Sequence, residues 1–174
     1  HLSTRRQRQM CIRDRMIEDA VKNLPKEDRQ AVMIGGNFVS WYGGFDSYIV
    51  ASQFEVPIVS PSMGRRQEGE GQLGIQQLPY MVWTDWIKIL NKFKYGVHLM
   101  RTHAAGTFAL NCAYLGIPCI GYKGLDTQEI CHPMLSIDLG DIPKAIEMAH
   151  KLKTDKGFYN FCSKAAKENY NKYY

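Results

Sequence analysis

Apolar residues in this chain fall into short unbroken runs set between longer stretches of mixed polarity. AVMIGG (31–36), VPIVS (56–60), GVHLM (96–100), IPCIGY (117–122) and LSID (135–138) read as strands. They are apolar at nearly every position rather than every second one, which marks strands covered on both faces, as in a parallel sheet. Segments with helical spacing lie between them. MIEDAVKNL (16–24) stops before Pro25, and FDSYIVASQF (45–54) is a second helix. Thr84 is placed to cap a helix over 85–94 with Trp86, Ile87, Leu90 and Phe93 on one side. A small-residue helix follows RTHAAG and stops at Gly116. Asp141 caps a helix over 142–153 with Pro143 in its first turn and Ile142, Ala145, Ile146, Ala149 and Leu152 inward. A last helix over 157–172 puts Phe158, Phe161, Cys162, Ala165 and Ala166 on one face. PYMVW (79–83) fits a strand or the start of a helix, and PSMGRRQEGEGQLG (61–74) reads as a long exposed loop. Strands alternating with helices predict an α/β fold with a doubly wound parallel sheet, Rossmann-like.

Composition adds one correction to that picture. The 174 residues carry a formal charge of +5, which suggests a nucleic-acid partner. However, residues 1–15 hold five arginines against one aspartate, a net of +4, so residues 16–174 carry only +1. The stretch RRQRQMCIRDR (5–15) resembles the translation of a sequencing adapter joined to a transposon end. Residues 1–15 are therefore expected to be an artefactual leader outside the fold, with residues 16–174 forming one domain and the true N-terminus missing. Without the leader the charge argument for nucleic acid lapses. Cys112, Cys119, Cys131 and Cys162 show no CxxC spacing and read as buried free thiols of a reducing compartment, so a cytoplasmic location is expected. No apolar run reaches the length of a membrane span.

In a doubly wound sheet, ligands bind beyond the carboxyl ends of the strands. That directs attention to the loops that follow them. The richest is VHLMRTHAAGTFALNCAYLGIPCIGY (97–122): a strand, a turn with Arg101, Thr102 and His103, a thin helix, and another strand. The N-terminus of that helix suits a phosphate, Gly106 permits close approach, and Thr107 adds a hydroxyl. A plain βαβ unit with no ligand explains the same pattern. Gly35 and Gly36 end a strand and allow a backbone approach to ligand, or simply make a tight turn. Arg65 and Arg66 can reach a diphosphate or stay solvated. Lys123 is a candidate phosphate or sugar partner. Asp126, Thr127 and Gln128 can read sugar hydroxyls or form an Asx-type turn. His98 lies on a strand and is expected to be a satisfied core histidine. His98, His103, Cys131 and His132 lack metal-ligand spacing, so no metal is expected.

The segment 97–122, with its Gly116-Ile117-Pro118-Cys119-Ile120 strand, resembles the nucleotide-binding C-terminal domain of GT-B glycosyltransferases. The likeness covers roughly residues 80–174 well and 16–79 by strand–helix order. It implies one half of a GT-B architecture that binds a nucleotide-diphosphate sugar as substrate, with no separate cofactor, and passes the sugar to an acceptor. A missing N-terminal domain would pack on it and hold that acceptor, leaving this fragment inactive alone. The implied donor contacts are Gly106 and Thr107 at the phosphates, with Gly35, Gly36, Arg101, Thr102, His103, Asn111, Lys123 and Asp126 around them. No catalytic residue is assigned. Retaining members carry two glutamates eight positions apart around this helix, and here those positions hold His103 and Asn111. That departure leaves donor type and stereochemistry open. It also leaves room for a sugar-nucleotide epimerase of the same fold, or a non-catalytic Rossmann-like binding or assembly module.

Overall fold

The computed structural model describes residues 16, 18–22, 29–61, 66–102 and 106–174. The leader at 1–15, Arg65 and His103 lie outside the described residues.

Six strands form one sheet: β1 (Ala31–Ile34), β2 (Ile58–Pro61), β3 (Ile75–Leu78), β4 (Phe93–His98), β5 (Cys119–Tyr122) and β6 (Ser136–Ile137). Their order is β3-β2-β1-β4-β5-β6, and every pairing is parallel. The fold is thus the doubly wound, Rossmann-like α/β arrangement that unbroken apolar runs predict. The helices that follow β1 are α1 (Gly44–Ala51), α2 (Trp83–Leu90), α3 (Thr107–Leu115), α4 (Asp126–Cys131), α5 (Ile142–Thr154) and α6 (Lys156–Tyr173).

Alternate strand residues feed two cores. Val32, Ile34, Tyr95, Val97 and Ile120 face α1, α5 and the start of α6. Met33, Val59, Phe93 and Cys119 face α2 and α3. Small residues let α3 lie close to the sheet. A Cβ on Gly96 of β4 would stand 3.0 Å from Cys112 Sγ.

Several elements depart from the sequence expectation. PYMVW leads into α2 at Trp83, as its helix alternative has it, and a strand with no counterpart in the sequence reading, β3, precedes it at Ile75–Leu78, after the 61–74 stretch. It is an edge strand, and its Gln76 and Gln77 give it no apolar pattern. Residues 61–74 are not uniformly exposed, since Glu70 is buried, accepting from Gln67 N at 2.9 Å and Gln77 Nε2 at 2.5 Å. Thr84 does not cap α2. The helix starts two residues earlier, at Trp83 after Val82, and ends at Leu90, which leaves Phe93 to open β4. Residues 126–131 form a helix rather than continuing a loop. On α6 the buried stripe is Phe158, Cys162, Ala166 and Tyr170, every fourth residue, which leaves Phe161 57% exposed.

Candidate ligand site at the switch point

The chain lays down β1, β2 and β3 in one direction, then returns to place β4 on the other side of β1. The loops leaving β1 and β4 therefore diverge, and a crevice at the carboxyl ends of these two strands is where such sheets take ligands. The sequence fixes both loops. Gly43 adopts φ +61, and a Cβ there would lie 1.9 Å from Leu99 O. Leu99 N donates to Ser47 Oγ at 2.9 Å, and Arg101 N donates to Trp41 O at 3.0 Å. Arg101 Nη2 and Nε reach Asp46 Oδ2 at 2.6 and 3.1 Å, and Tyr122 OH donates to the same oxygen at 3.2 Å. That bond and ion pair with Asp46 raise the Arg101 pKa, while burial, with Asp46 adding to it, pushes Tyr122 up to about 12.

α3 points its N-terminus at this crevice, and its two ends differ. At the C-terminus Gly116 turns left-handed at φ +66. Leu115 O there accepts from Arg29 Nη1 at 3.0 Å, and Gly116 O from Ser163 Oγ at 2.6 Å. At the N-terminus Gly106 supplies no side-chain cap. Helix ends without capping leave N–H groups and a partial positive charge available to an anion.

Two buried side-chain atoms have no hydrogen-bond partner among the described residues: His98 Nε2 and Thr127 Oγ1. Both lie against the start of α3. The His98 ring stands edge-on to Phe108 in the first turn, with centroids 5.5 Å apart. Thr127 Oγ1 lies 2.1 Å from where a Cβ on Gly106 would be, so position 106 excludes any side chain. The expectation that His98 is a satisfied core histidine is half correct. It is buried, 9% exposed, but Nε2 is unpaired. Burial lowers its pKa to about 4, so it is neutral near pH 7. His132 shows the contrast. It too is buried, with a pKa also lowered to about 4, yet its Nδ1 accepts from Cys119 N at 3.4 Å and its Nε2 meets Ala109 O at 3.0 Å.

The other candidates are distributed as follows. Gly106 is buried at the helix end, and Thr107 is exposed beside it. Gly35 is glycine because its neighbours require it: a Cβ would fall 2.5 Å from Phe108 and 2.7 Å from His98. On Gly36 a Cβ would lie 3.1 Å from His98 Nε2. Arg101 is committed to Asp46, and Lys123 forms a surface pair with Asp138 at 2.7 Å. Thr102 is half-buried, and Arg66 and Asp126 are exposed. Asn111 is 2% exposed, one turn inside the helix from Thr107. Gln128 is buried and directs its amide to Cys119 O at 2.9 Å and Leu135 O at 3.3 Å, so it does not face a ligand. Among the described residues no three His, Cys, Asp or Glu side chains gather to hold a metal, and no helix is long and apolar enough to cross a membrane. Sequence reasoning names both residues, Thr127 as a reader of sugar hydroxyls or a turn residue and His98 as a satisfied core histidine, and misses that each keeps an unpaired buried atom. Nothing local in VHLMR or LDTQE signals that these polar atoms end up buried and unpaired.

No known family profile matches the chain, and no curated protein sequence does either. Solved structures do resemble it. WaaG, a glycosyltransferase involved in lipopolysaccharide biosynthesis, superposes with a TM-score of 0.68 at 10% identity over 90% of this chain and 46% of its own. Anabaena HepE in complex with UDP-glucose gives 0.66 at 11% identity over 90% of this chain and 48% of its own. The sucrose-phosphate synthase of Thermosynechococcus elongatus gives 0.65 at 15% identity over 90% and 43%. This chain spans a little under half the length of each. In architecture, then, the chain is a Rossmann-like α/β unit of the kind found in GT-B glycosyltransferases.

Proposed function

We propose that the chain binds a nucleotide-diphosphate sugar at the N-terminus of α3, as the donor-binding part of a glycosyltransferase. One observation carries the reading: the two partnerless buried polar atoms, His98 Nε2 and Thr127 Oγ1, bracket the start of this helix at the switch point. Buried polar groups are paired in nearly all folded proteins, and a partnerless one calls for a ligand or water. Two of them beside an uncapped helix end, at the ligand-binding edge of the sheet, favour a phosphate-bearing ligand.

The N–H groups of the helix's first turn, after Gly106, would hold the diphosphate, with the exposed Thr107 hydroxyl beside them. As the glycosidic bond to phosphate breaks, negative charge grows on the leaving diphosphate. Oriented N–H dipoles stabilise that charge without having to reorganise. The acceptor would come from outside this chain, as would any catalytic base. The structures with UDP-glucose in HepE support the choice of probe. UDP and UDP-glucose should raise the thermal midpoint, by about 2.7 kcal/mol of stability at 100 times Kd. The absence of a shift at millimolar concentrations of either would sink the reading and favour an assembly module of the same fold. Non-acidic His103 and Asn111 favour a second outcome, in which donor binds and no sugar is transferred.

A further inference from the structure

We propose that His98 is a specificity-determining residue of this site, and that its Nε2–H donates to a phosphate oxygen of the bound diphosphate. The inference rests on the donor-binding reading above. His98 is the last residue of β4, at the point where the strand order reverses. Its side chain faces α3 rather than α1, because it packs on Phe108 in the first turn of that helix. Edge-on contact with the Phe108 ring and close packing against Gly35 fix the imidazole plane. The free nitrogen is then directed toward Gly36 and Tyr42, where a Cβ on Gly36 would come within 3.1 Å of it. On that side the cover is the Gly36 backbone and the Tyr42 side chain, and Gly36 carries no side chain of its own between the nitrogen and the loop.

An anion seated on the N-terminal N–H groups of α3 therefore lies at the same turn of helix that the imidazole touches. Burial lowers the imidazole's basicity, so near neutral pH the ring is uncharged, with one N–H and one lone pair. A neutral donor of this kind binds a phosphate oxygen without adding a buried cation to the site, and Arg101 on the loop after β4 is already held by Asp46. A histidine kept only for packing gains nothing from its ring nitrogen. Leucine or phenylalanine would fill the same space without an unpaired polar atom. What the nitrogen adds is a ligand contact.

The test uses the full chain, with UDP as the probe and uridine as the comparison. In H98L the unliganded thermal midpoint should equal or exceed that of wild type, while UDP affinity falls at least tenfold. H98Q, which keeps a donor, should recover part of that loss. With 15N-labelled imidazole, UDP should move the His98 Nε2 resonance and uridine should leave it in place. Equal UDP affinity in H98L overturns the proposal, and so does an Nε2 signal that uridine shifts as UDP does. A midpoint well below wild type in H98L also overturns it, since that would give Nε2 a partner in the unliganded fold. If wild type binds neither UDP nor UDP-glucose, the donor-binding reading itself fails. If wild type binds and H98L binds equally well, only the role of His98 fails.

Discussion

Two glycines with positive φ separate backbone conformation from contact. Gly43 has φ +61, and a side chain there would drive into the Leu99 carbonyl, 1.9 Å from the Cβ position. Gly140 has φ +84 and nothing within 4 Å of that position. Gly140→Ala should therefore bear only the left-handed strain, about 1 kcal/mol. Gly43→Ala adds a clash with backbone and should exceed about 3 kcal/mol, enough to prise the β1 and β4 loops apart. Urea unfolding of both variants checks the ordering, and similar losses would contradict it. The chain shows Gly43 only as one of a GG pair, and its partner across the loop is 56 residues away. The contact that makes glycine obligatory there was not legible.

At the scale of elements, legibility tracked local chemistry. α5 was readable from its local cap, Asp141, which accepts from Lys144 N at 3.0 Å, and α6 from its apolar spacing; its cap, Asp155, which accepts from Phe158 N at 2.9 Å, the sequence reading does not name. Asp141→Ala should lower stability by about 1 kcal/mol. It should leave UDP affinity unchanged, because α5 begins beyond β6, at the far edge of the sheet from β1. Calorimetry and thermal melts on one preparation give both numbers. β3 and α4 were not readable. β3 is a four-residue edge strand whose polar residues need no pattern, and α4 is too short for one to accumulate. α3 was legible as a thin helix with a glycine stop. Its C-terminus, tied down by Arg29 and Ser163, and its open N-terminus belong to packing across the sheet.

For the whole molecule, the two buried histidines set a pH dependence. Both have pKa values lowered to about 4 in the fold, against about 6.5 in an unfolded chain. The unfolded chain thus binds more protons between these values. Stability is complete above pH 6.5 and falls as pH drops toward 4, by up to about 3 kcal/mol per histidine. Denaturant midpoints should decline through that window. H98L should remove about half of the decline, and a profile flat from pH 7 to 4 would contradict the burial of both rings.

The sequence by itself determined the class of the fold and most of the succession of its elements along the chain. Strands apolar on both faces, helices with local caps and glycine stops all act over a few residues, so they leave a periodic trace. It also determined which loop–helix junction merits attention, since a thin helix after a strand is a local feature. Only the tertiary structure decided which polar atoms were left without partners. His98 loses its water because Gly35, Phe108 and the sheet close around it, and Gln128 leaves the site because Cys119 and Leu135 accept its amide. The strand order that brings residues 35 and 98 together depends on pairings between segments some 60 residues apart. Such contacts satisfy or strand a polar group without any spacing in the chain to announce them.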